Sequence, residues 1–452
     1  MKNAKLLAAA LAATCAFTFA PVLDTGIAGM DPARSAFAQV KAAAEYDASL
    51  QSLPLTTRTY CYSDWDGDFE MFRSYWTDIS FYGNAKAPGR NIAKALTGYS
   101  RERSNEFGNT RKRLLSRAKS DWRERKEKGM SASPFYGPYW FAGGIRVHRA
   151  DSAAVSFLED SIMHEGGTHS RSVISGRNFD SRTGKELQLS DIFINKHVLA
   201  EALKKQMKAD RIHESFMENN EQALEENVDQ MTKDGSLIWT LEARGVSFYF
   251  TPYMLGGTYA DDAYFTTLFF TEYPDIFKKN ERTGEFVWRG PQGYCMDLQP
   301  YVAVRLSGGP RSEKLKVSHE NDRIVIEHNG TEYRNDLKAV EIYPTFVRCS
   351  DGRKYLYVDY EEPVGKYSAA AYRLYVYDLN GASPAFVGAY SMTRLASSLK
   401  DTAARQWYVM SDPDGFYVTP IADNEFVPAK WLRCRVGKDG SPEVIDVEGA
   451  KG

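Results

Sequence analysis

The sequence predicts an α+β protein: a mixed antiparallel sheet with helices on one face, followed by a mainly β C-terminal domain. Two observations predict this class. In the first half, aromatic strand-like runs alternate with segments whose apolar residues recur at helical spacing. Beyond Phe277 the chain consists of short alternating runs separated by Gly, Asn and Asp turns. With 452 residues and 43% hydrophobic content, the chain is long enough for two or three domains with ordinary cores.

The first half is expected to contain both strands and helices. Strand-like runs lie at Tyr60–Tyr62, Phe69–Phe81, Ile145–His148 and Ala153–Leu158. Between them, apolar residues at helical spacing predict a helix over Asn91–Lys128. Further along, Val198–Met231 suits one broken helix or two helices, and Leu237–Phe250 suits a hairpin that turns at Arg244–Gly245.

The second half is expected to be β-rich and to follow a linker. Lys278–Gly293 is polar and contains several Gly and Pro residues, which predicts a linker or long loop. The short alternating runs beyond it suit a barrel, a sandwich or a partial propeller. These runs are Val302–Leu306, Leu315–Val317, Ile324–Glu327, Tyr355–Tyr360, Tyr372–Tyr377, Phe386–Tyr390, Trp407–Met410 and Phe416–Pro420.

The N-terminus has the features of an export signal. Lys2 and Lys5 precede the apolar stretch Leu6–Leu23, and Ala36-Phe37-Ala38 fits a signal-peptidase site. We therefore expect an exported protein, located in the periplasm, on the cell surface or outside the cell, with membrane attachment only if the signal is not cleaved. The predicted organisation is a signal peptide (1–38), a tether (39–54), an α+β domain (55–277), a linker (278–294) and a β-rich domain (295–452).

Charge and cysteine content limit the partners and the covalent framework. The formal net charge of -2 indicates no global preference for nucleic acid. Four cysteines follow the signal segment, namely Cys61, Cys295, Cys349 and Cys434. An oxidising compartment permits two disulfides, of which Cys349 with Cys434 is preferred because both lie in the β-rich region. Buried reduced thiols are the alternative.

Metal and cofactor sites are not expected. Asp64, Asp66, Asp68 and Glu70 suggest a calcium loop, but Gly67 comes too early for an EF-hand, so an acidic surface turn is preferred. His164 and His169 do not have the one-turn spacing of a zinc-protease helix. The sequence also contains no Gly-x-Ser-x-Gly elbow and no Walker loop.

Three ordered motifs carry a family resemblance. The first is Glu165-Gly166-Gly167-Thr168-His169. The second runs from Asn178 to Phe193, with Asp180, Thr183, Gly184, Leu187, Leu189 and Asp191 at the family's positions. The third is Phe248–Tyr253, followed by a loop and the apolar strand Tyr264–Phe270. Over roughly residues 60–274 the chain resembles the extracellular domain of RsiV-type lysozyme-sensing anti-sigma factors, also found as a non-catalytic module beside a peptidoglycan deacetylase domain.

The resemblance implies a non-catalytic binding protein for a lysozyme-like protein or a peptidoglycan fragment. It places the binding edge at two loops, which contain Gly166, Gly167 and His169 as shaping residues and Tyr253, Tyr259, Asp261 and Asp262 on the contact side. The loop after Tyr253 differs from the compact family sequence. The alternative is an envelope hydrolase or transferase acting on glycan, in which groups such as Glu165, Asp261 and Asp262 meet in a cleft and one carboxylate has a raised pKa.

Overall fold

The computed structural model describes residues 46–82, 89–130, 139–166, 170–210, 225–251, 254, 264–306, 313–338, 341–362, 371–390, 406–420 and 431–447. It confirms the predicted fold class: a mixed sheet with helices is followed by open antiparallel sheets. Within the described ranges, no helix combines the length and the apolar character that crossing a bilayer requires.

The first sheet has five strands in sequential order. They are β1 (Leu55–Asp66), β2 (Phe69–Phe81), β3 (Tyr139–Ala150), β4 (Ala154–His164) and β5 (Arg171–Asp180). β2 and β3 are parallel, and the other neighbours are antiparallel. Parallel neighbours need a crossover connection. The long helix α1 (Arg90–Glu127) lies between them in the chain, as the spacing over Asn91–Lys128 predicts.

Helix α1 packs on the sheet through one stripe of side chains. The buried residues recur at intervals of three, four, seven or eight positions and are Ile92, Leu96, Tyr99, Phe107, Leu114 and Ala118. Arg103 lies in the same stripe and is neutralised there: its guanidinium is 2.6 Å from Glu159 Oε1 and donates to the Thr77 carbonyl at 3.3 Å. The helix is therefore held by apolar burial and by one largely buried ion pair.

A second layer follows in the first half. It contains α2 (Leu189–Ile192), α3 (Lys196–Ala209), the helix α4 over residues 225–234, and the antiparallel sheet β6 (Ile238–Leu241), β7 (Gly245–Phe250) and β8 (Tyr264–Phe269). The two separate helices and the β6–β7 hairpin match the predicted elements. Asn195 caps α3 by accepting a hydrogen bond from the Val198 amide at 3.0 Å. Leu199 and Leu203 of α3 are fully buried in the same core as Phe248 and Phe250 of β7.

The second half forms three further sheets. β10 (Val304–Arg305), β11 (Lys314–Glu320), β12 (Arg323–His328) and β13 (Thr331–Lys338) make a meander. β9 (Tyr294–Asp297), β14 (Glu341–Arg348), β15 (Lys354–Glu362), β16 (Ala371–Asp378) and β17 (Ala385–Tyr390) make a five-stranded sheet in the order β17-β16-β15-β14-β9. The last sheet contains β18 (Gln406–Asp412), β19 (Gly415–Pro420), β20 (Leu432–Val436) and β21 (Pro442–Val447).

Two segments that the sequence predicts to be connectors are packed instead. In the predicted linker, Phe286 and Trp288 are each 6% exposed and belong to the core of the second layer. In the described part of the predicted tether, Leu53 is 2% exposed and the Asp47 amide donates to the Gly290 carbonyl at 2.9 Å. Burial of the apolar side chains inside these stretches is a favourable free-energy term that favours packing of the segment over an extended linker. The proposed domain boundaries remain a prediction.

The preferred disulfide is wrong: Cys349 and Cys434 are free and buried, as is Cys295. All three lie in one apolar cluster with Val347, Tyr357 and Phe416. Burial raises the pKa of the Cys349 thiol to about 12 and that of Cys434 to about 12. They therefore behave as small apolar side chains, the alternative that the spacing left open. The side chain of Cys61 lies outside the described residues.

Candidate functional site

Gly166 is the one residue of the predicted binding edge that falls within the described residues. Gly167, His169, Tyr253, Tyr259, Asp261 and Asp262 all lie outside them. Gly166 has φ +81°, and a Cβ added there would come within 2.8 Å of the Tyr139 hydroxyl oxygen. The position therefore needs glycine twice, for its backbone conformation and for the close approach of Tyr139. Its proposed role in binding stays a prediction.

Glu165, named in the alternative hydrolase hypothesis, forms an exposed ion-pair cluster. Its two carboxylate oxygens lie 2.6 Å from Arg113 Nη1 and 2.5 Å from Arg117 Nη1 of helix α1. The hydrogen bond from Arg113 is the largest of the effects that lower the pKa of Glu165. A general acid needs a raised pKa, and the pKa of Glu165 is shifted in the opposite direction. It ties the end of β4 to the helix.

The acidic hairpin turn between β1 and β2 also contacts helix α1. Asp66 accepts hydrogen bonds from Trp122 Nε1 at 2.6 Å and Lys126 Nζ at 2.5 Å, and Asp64 lies 3.0 Å from Lys119 Nζ. These carboxylates already have cationic partners. Within the described ranges, no group of three His, Cys, Asp or Glu side chains is arranged to hold a metal ion.

A cleft of about 570 Å³ lies where the second layer meets the β-rich half of the chain. Its walls come from the C-terminal end of α3, from β8 and the turn after it, and from β9, β10 and the start of β11. Ligand pockets in proteins commonly have volumes of roughly 300–1,000 Å³. Its lining combines aromatic, hydroxyl, amide and charged side chains, among them Lys205, Gln206, Asp210, Phe265, Thr266, Phe269, Glu272, Tyr273, Asp297, Arg305 and Lys314.

Asp210, just after the C-terminal end of α3, is fixed by a chain of neutral hydrogen bonds. Gln206 Nε2 donates to Asp210 Oδ1 at 2.6 Å, and the buried Thr266 hydroxyl donates to Oδ2. The Tyr273 hydroxyl in turn donates to Gln206 Oε1 at 2.7 Å, which orients the amide. Burial raises the pKa of Asp210 to about 6 despite these hydrogen bonds, and the charge of Glu272 adds to the rise.

Glu272 is the second carboxylate of the cleft. Burial raises its pKa, and the charges of Arg305 and Arg244 oppose the rise. Its Oε1 lies 3.7 Å from Arg305 Nε, a loose contact in which the arginine side chain stays 53% exposed. Tyr273, next in sequence, has its pKa raised to about 12 by burial and then by the charges of Glu272 and Asp210. The cleft therefore contains two partly desolvated carboxylates beside a half-exposed guanidinium.

The opposite wall contains Asp297, which contacts one hydroxyl group closely and one guanidinium loosely. Its Oδ1 accepts from the Thr345 hydroxyl at 2.9 Å, and its Oδ2 lies 3.6 Å from Arg146 Nη1. Behind Phe265, the buried Tyr249 hydroxyl contacts His148 Nε2 at 3.2 Å and Thr240 Oγ1 at 2.9 Å. This polar network supports the wall from within.

None of the cleft carboxylates was predicted as a site residue. Thr266 and Asp210 are 56 positions apart in the sequence, and Tyr273 and Gln206 are 67 apart. No local spacing brings them together, because their proximity depends on α3 packing against β8. The only sequence signal is an aspartate directly after an amphipathic helix, which is ordinary for a solvent-exposed helix end.

No protein-family model matches the chain, and no curated protein does either. The neighbours among solved structures are DUF3298 family proteins, an uncharacterised domain family. A member from Bacteroides fragilis NCTC 9343 shares 16% identity with a TM-score of 0.39, covering 52% of this chain and 98% of its own. A protein from Pseudomonas aeruginosa PAO1 shares 16% identity with a TM-score of 0.31, with the same coverage.

Proposed function

We propose that this protein is an exported, non-catalytic binding protein that holds a peptidoglycan fragment in the cleft between α3, β8 and β10. The single observation that carries the proposal is the cleft itself. Its volume is in the range of ligand pockets, and its lining contains both polar and aromatic side chains. Glycans and their attached peptides present many hydroxyl and amide groups together with charged ends. Side chains such as Gln206, Thr266 and Tyr273 offer donors and acceptors of that kind.

Export rests on the predicted signal segment. Recognition of an envelope fragment rests on the family resemblance together with the chemistry of the cleft. The resemblance also proposes a lysozyme-like protein as partner, docked on the loops at 166–169 and 253–262. We assign that partner to those loops and the fragment to the cleft, so separate titrations distinguish the two possibilities.

A second function, glycan hydrolysis, is favoured by the raised pKa values of Asp210 and Glu272 in one cleft. The alternative hypothesis required paired carboxylates of which one has a raised pKa, whereas both pKa values are raised here and the residues differ from those named for it. A protonated carboxyl group near neutral pH can act as a general acid. Against this role, both oxygens of Asp210 already accept hydrogen bonds from Gln206 and Thr266.

The test is calorimetric titration of the purified protein with a soluble disaccharide-peptide from peptidoglycan, and separately with a c-type lysozyme, with chromatography to detect turnover. The blocking variant is Ala303→Trp, which places an indole at an exposed position of the cleft lining. The matched control is Ala382→Trp, at an exposed alanine in the turn between β16 and β17.

We expect saturable fragment binding without turnover, weakened more than about tenfold by Ala303→Trp and unchanged by Ala382→Trp. Fragment binding that survives Ala303→Trp would overturn the assignment to the cleft. Binding of lysozyme alone would overturn the proposal in favour of the loop surface. Consumption of the fragment would replace it with the hydrolase.

A further inference from the structure

The cleft contains an electrostatic imbalance that a ligand could relieve. Asp210 accepts hydrogen bonds only from the neutral groups of Gln206 and Thr266, and no cation in the described part of the chain lies within salt-bridge distance of it. Among the described residues, the one charge that acts on the pKa of Asp210 is the like charge of Glu272. Two carboxylates that share a partly desolvated space without a closely bound cation are costly to keep ionised.

The acceptor capacity of these carboxylates is not exhausted. A carboxylate offers about four lone-pair sites, and each oxygen of Asp210 accepts one hydrogen bond in the structure. Glu272 has one loose ionic contact, 3.7 Å from Arg305 Nε. A compact cationic donor placed between the two side chains would gain charge-assisted hydrogen bonds to both. An ammonium group, with three donors on a point charge, has the right chemistry.

The same cleft contains a positive rim. Arg305 of β10, Lys314 of β11 and Lys205 of α3 all line it, and they come from walls other than that of Glu272. Arg305 holds Glu272 only loosely and keeps about half of its side chain exposed. A guanidinium presents a planar fork of donors that matches a carboxylate. Among these side chains, Arg305 is therefore the best match for a carboxylate in the cleft.

From this juxtaposition we propose that the cleft binds the charged end of an amino acid or peptide, with a primary ammonium between Asp210 and Glu272 and a carboxylate at Arg305. The inference rests on the proposed function, because it takes the cleft to be a ligand site. It narrows the ligand from glycan in general to a peptide stem that ends in a diamino acid, which offers a side-chain ammonium and a terminal carboxylate together.

The test uses three probes in calorimetric titrations of the purified protein at pH 6. They are a disaccharide-peptide ending in a diamino acid with a free side-chain amine, the same compound with that amine acetylated, and the disaccharide without peptide. We expect acetylation to weaken binding more than about tenfold, since it removes the charge and two donors. We expect the bare disaccharide to bind no better than the acetylated compound.

Two further readouts distinguish specific recognition from bulk charge. Arg305→Gln should weaken binding of the free-amine probe, whereas Arg323→Gln should not, because Arg323 has the same exposure (52% against 53%) but lies outside the cleft. Binding should also release a fraction of a proton, up to roughly one half when the pH equals the pKa of Asp210. Titration in two buffers with different ionisation enthalpies measures that fraction.

Each outcome bears on a separate claim. If the acetylated probe or the bare disaccharide binds as tightly as the free-amine probe, the ammonium site is wrong while the proposed function stands. If Arg305→Gln and Arg323→Gln have equal effects, the carboxylate site is wrong. If none of the three probes binds, the proposed function itself fails.

Discussion

Asp210→Asn is predicted to stabilise the protein at neutral pH and to leave its stability unchanged in acid. The carboxyl group has a pKa of about 6 in the folded chain, against the ordinary value of 3.8 that represents the unfolded chain. The folded state therefore holds the proton more tightly than the unfolded state does. Ionising this side chain costs stability, and the cost grows as the pH rises from about 4 to about 6 and is complete above that range.

The magnitude follows from that difference in pKa. About two units correspond to roughly 3 kcal/mol of unfolding free energy, which is an upper bound for the gain. Asparagine is close in shape, and it can still accept from Gln206 Nε2 while its amide group donates to the Thr266 hydroxyl oxygen. We therefore expect a gain of about 1–3 kcal/mol at pH 7.5 and almost none below pH 4.

The assay is urea unfolding of the parent protein and the variant at several pH values between 3.5 and 8. The control is Asp275→Asn, at an exposed aspartate in the turn after β8, for which we expect a change within about 0.5 kcal/mol at every pH. A pH-independent gain, or a loss at pH 7.5, would refute the reasoning that an ionised, uncompensated Asp210 lies in the cleft. A gain would fit a residue kept for binding rather than for stability.

Three further predictions concern the scaffold. Gly176→Ala should destabilise the protein by about 2 kcal/mol or more in denaturant unfolding, because a Cβ there would clash with the Trp239 backbone. Gly98→Ala in α1 is the control: a Cβ there has open space, so the variant should be more stable by about 0.5–1 kcal/mol. Equal effects of the two substitutions would contradict this packing. Asp151→Asn should lower the free energy of unfolding by about 3–5 kcal/mol, since the Arg149 side chain, 2.6 Å away and 2% exposed, would keep a buried charge without its partner. A loss under about 1 kcal/mol in the same unfolding assay would show that the ion pair is dispensable. In thiol titration under native conditions, Cys295, Cys349 and Cys434 should be unreactive because they are buried. All three should react after the protein is unfolded without reductant. Fewer reactive thiols than expected after unfolding would indicate a disulfide.

Secondary structure that depends on local pattern was predictable from the sequence. Leu114 and Ala118 at helical spacing mark helix α1, and the alternating residues of Leu237–Phe250 mark the β6–β7 hairpin. Whether a segment is a linker or a packed part of the fold was harder to predict where the segment is polar on average but a few of its side chains are buried. Phe286 and Trp288 are buried within a stretch whose composition is otherwise mostly polar, and Val287 between them is exposed.

The candidate site could not be predicted, because it depends on packing between distant elements. Asp210 and Glu272 each look like a surface carboxylate in the sequence, and only the contact between α3 and β8 places them in one desolvated space. The same reason explains the cysteines. Wide spacing between Cys349 and Cys434 permits either a bridge or two buried thiols, and side-chain geometry decides between them.

The central claim is that the cleft at α3, β8 and β10 is where a ligand binds. The most direct measurement is a crystal structure of the protein with the free-amine disaccharide-peptide. We expect density in the cleft, with the ligand's ammonium between Asp210 and Glu272 and its carboxylate at Arg305. Density at the loops around Gly166 with an empty cleft would contradict it.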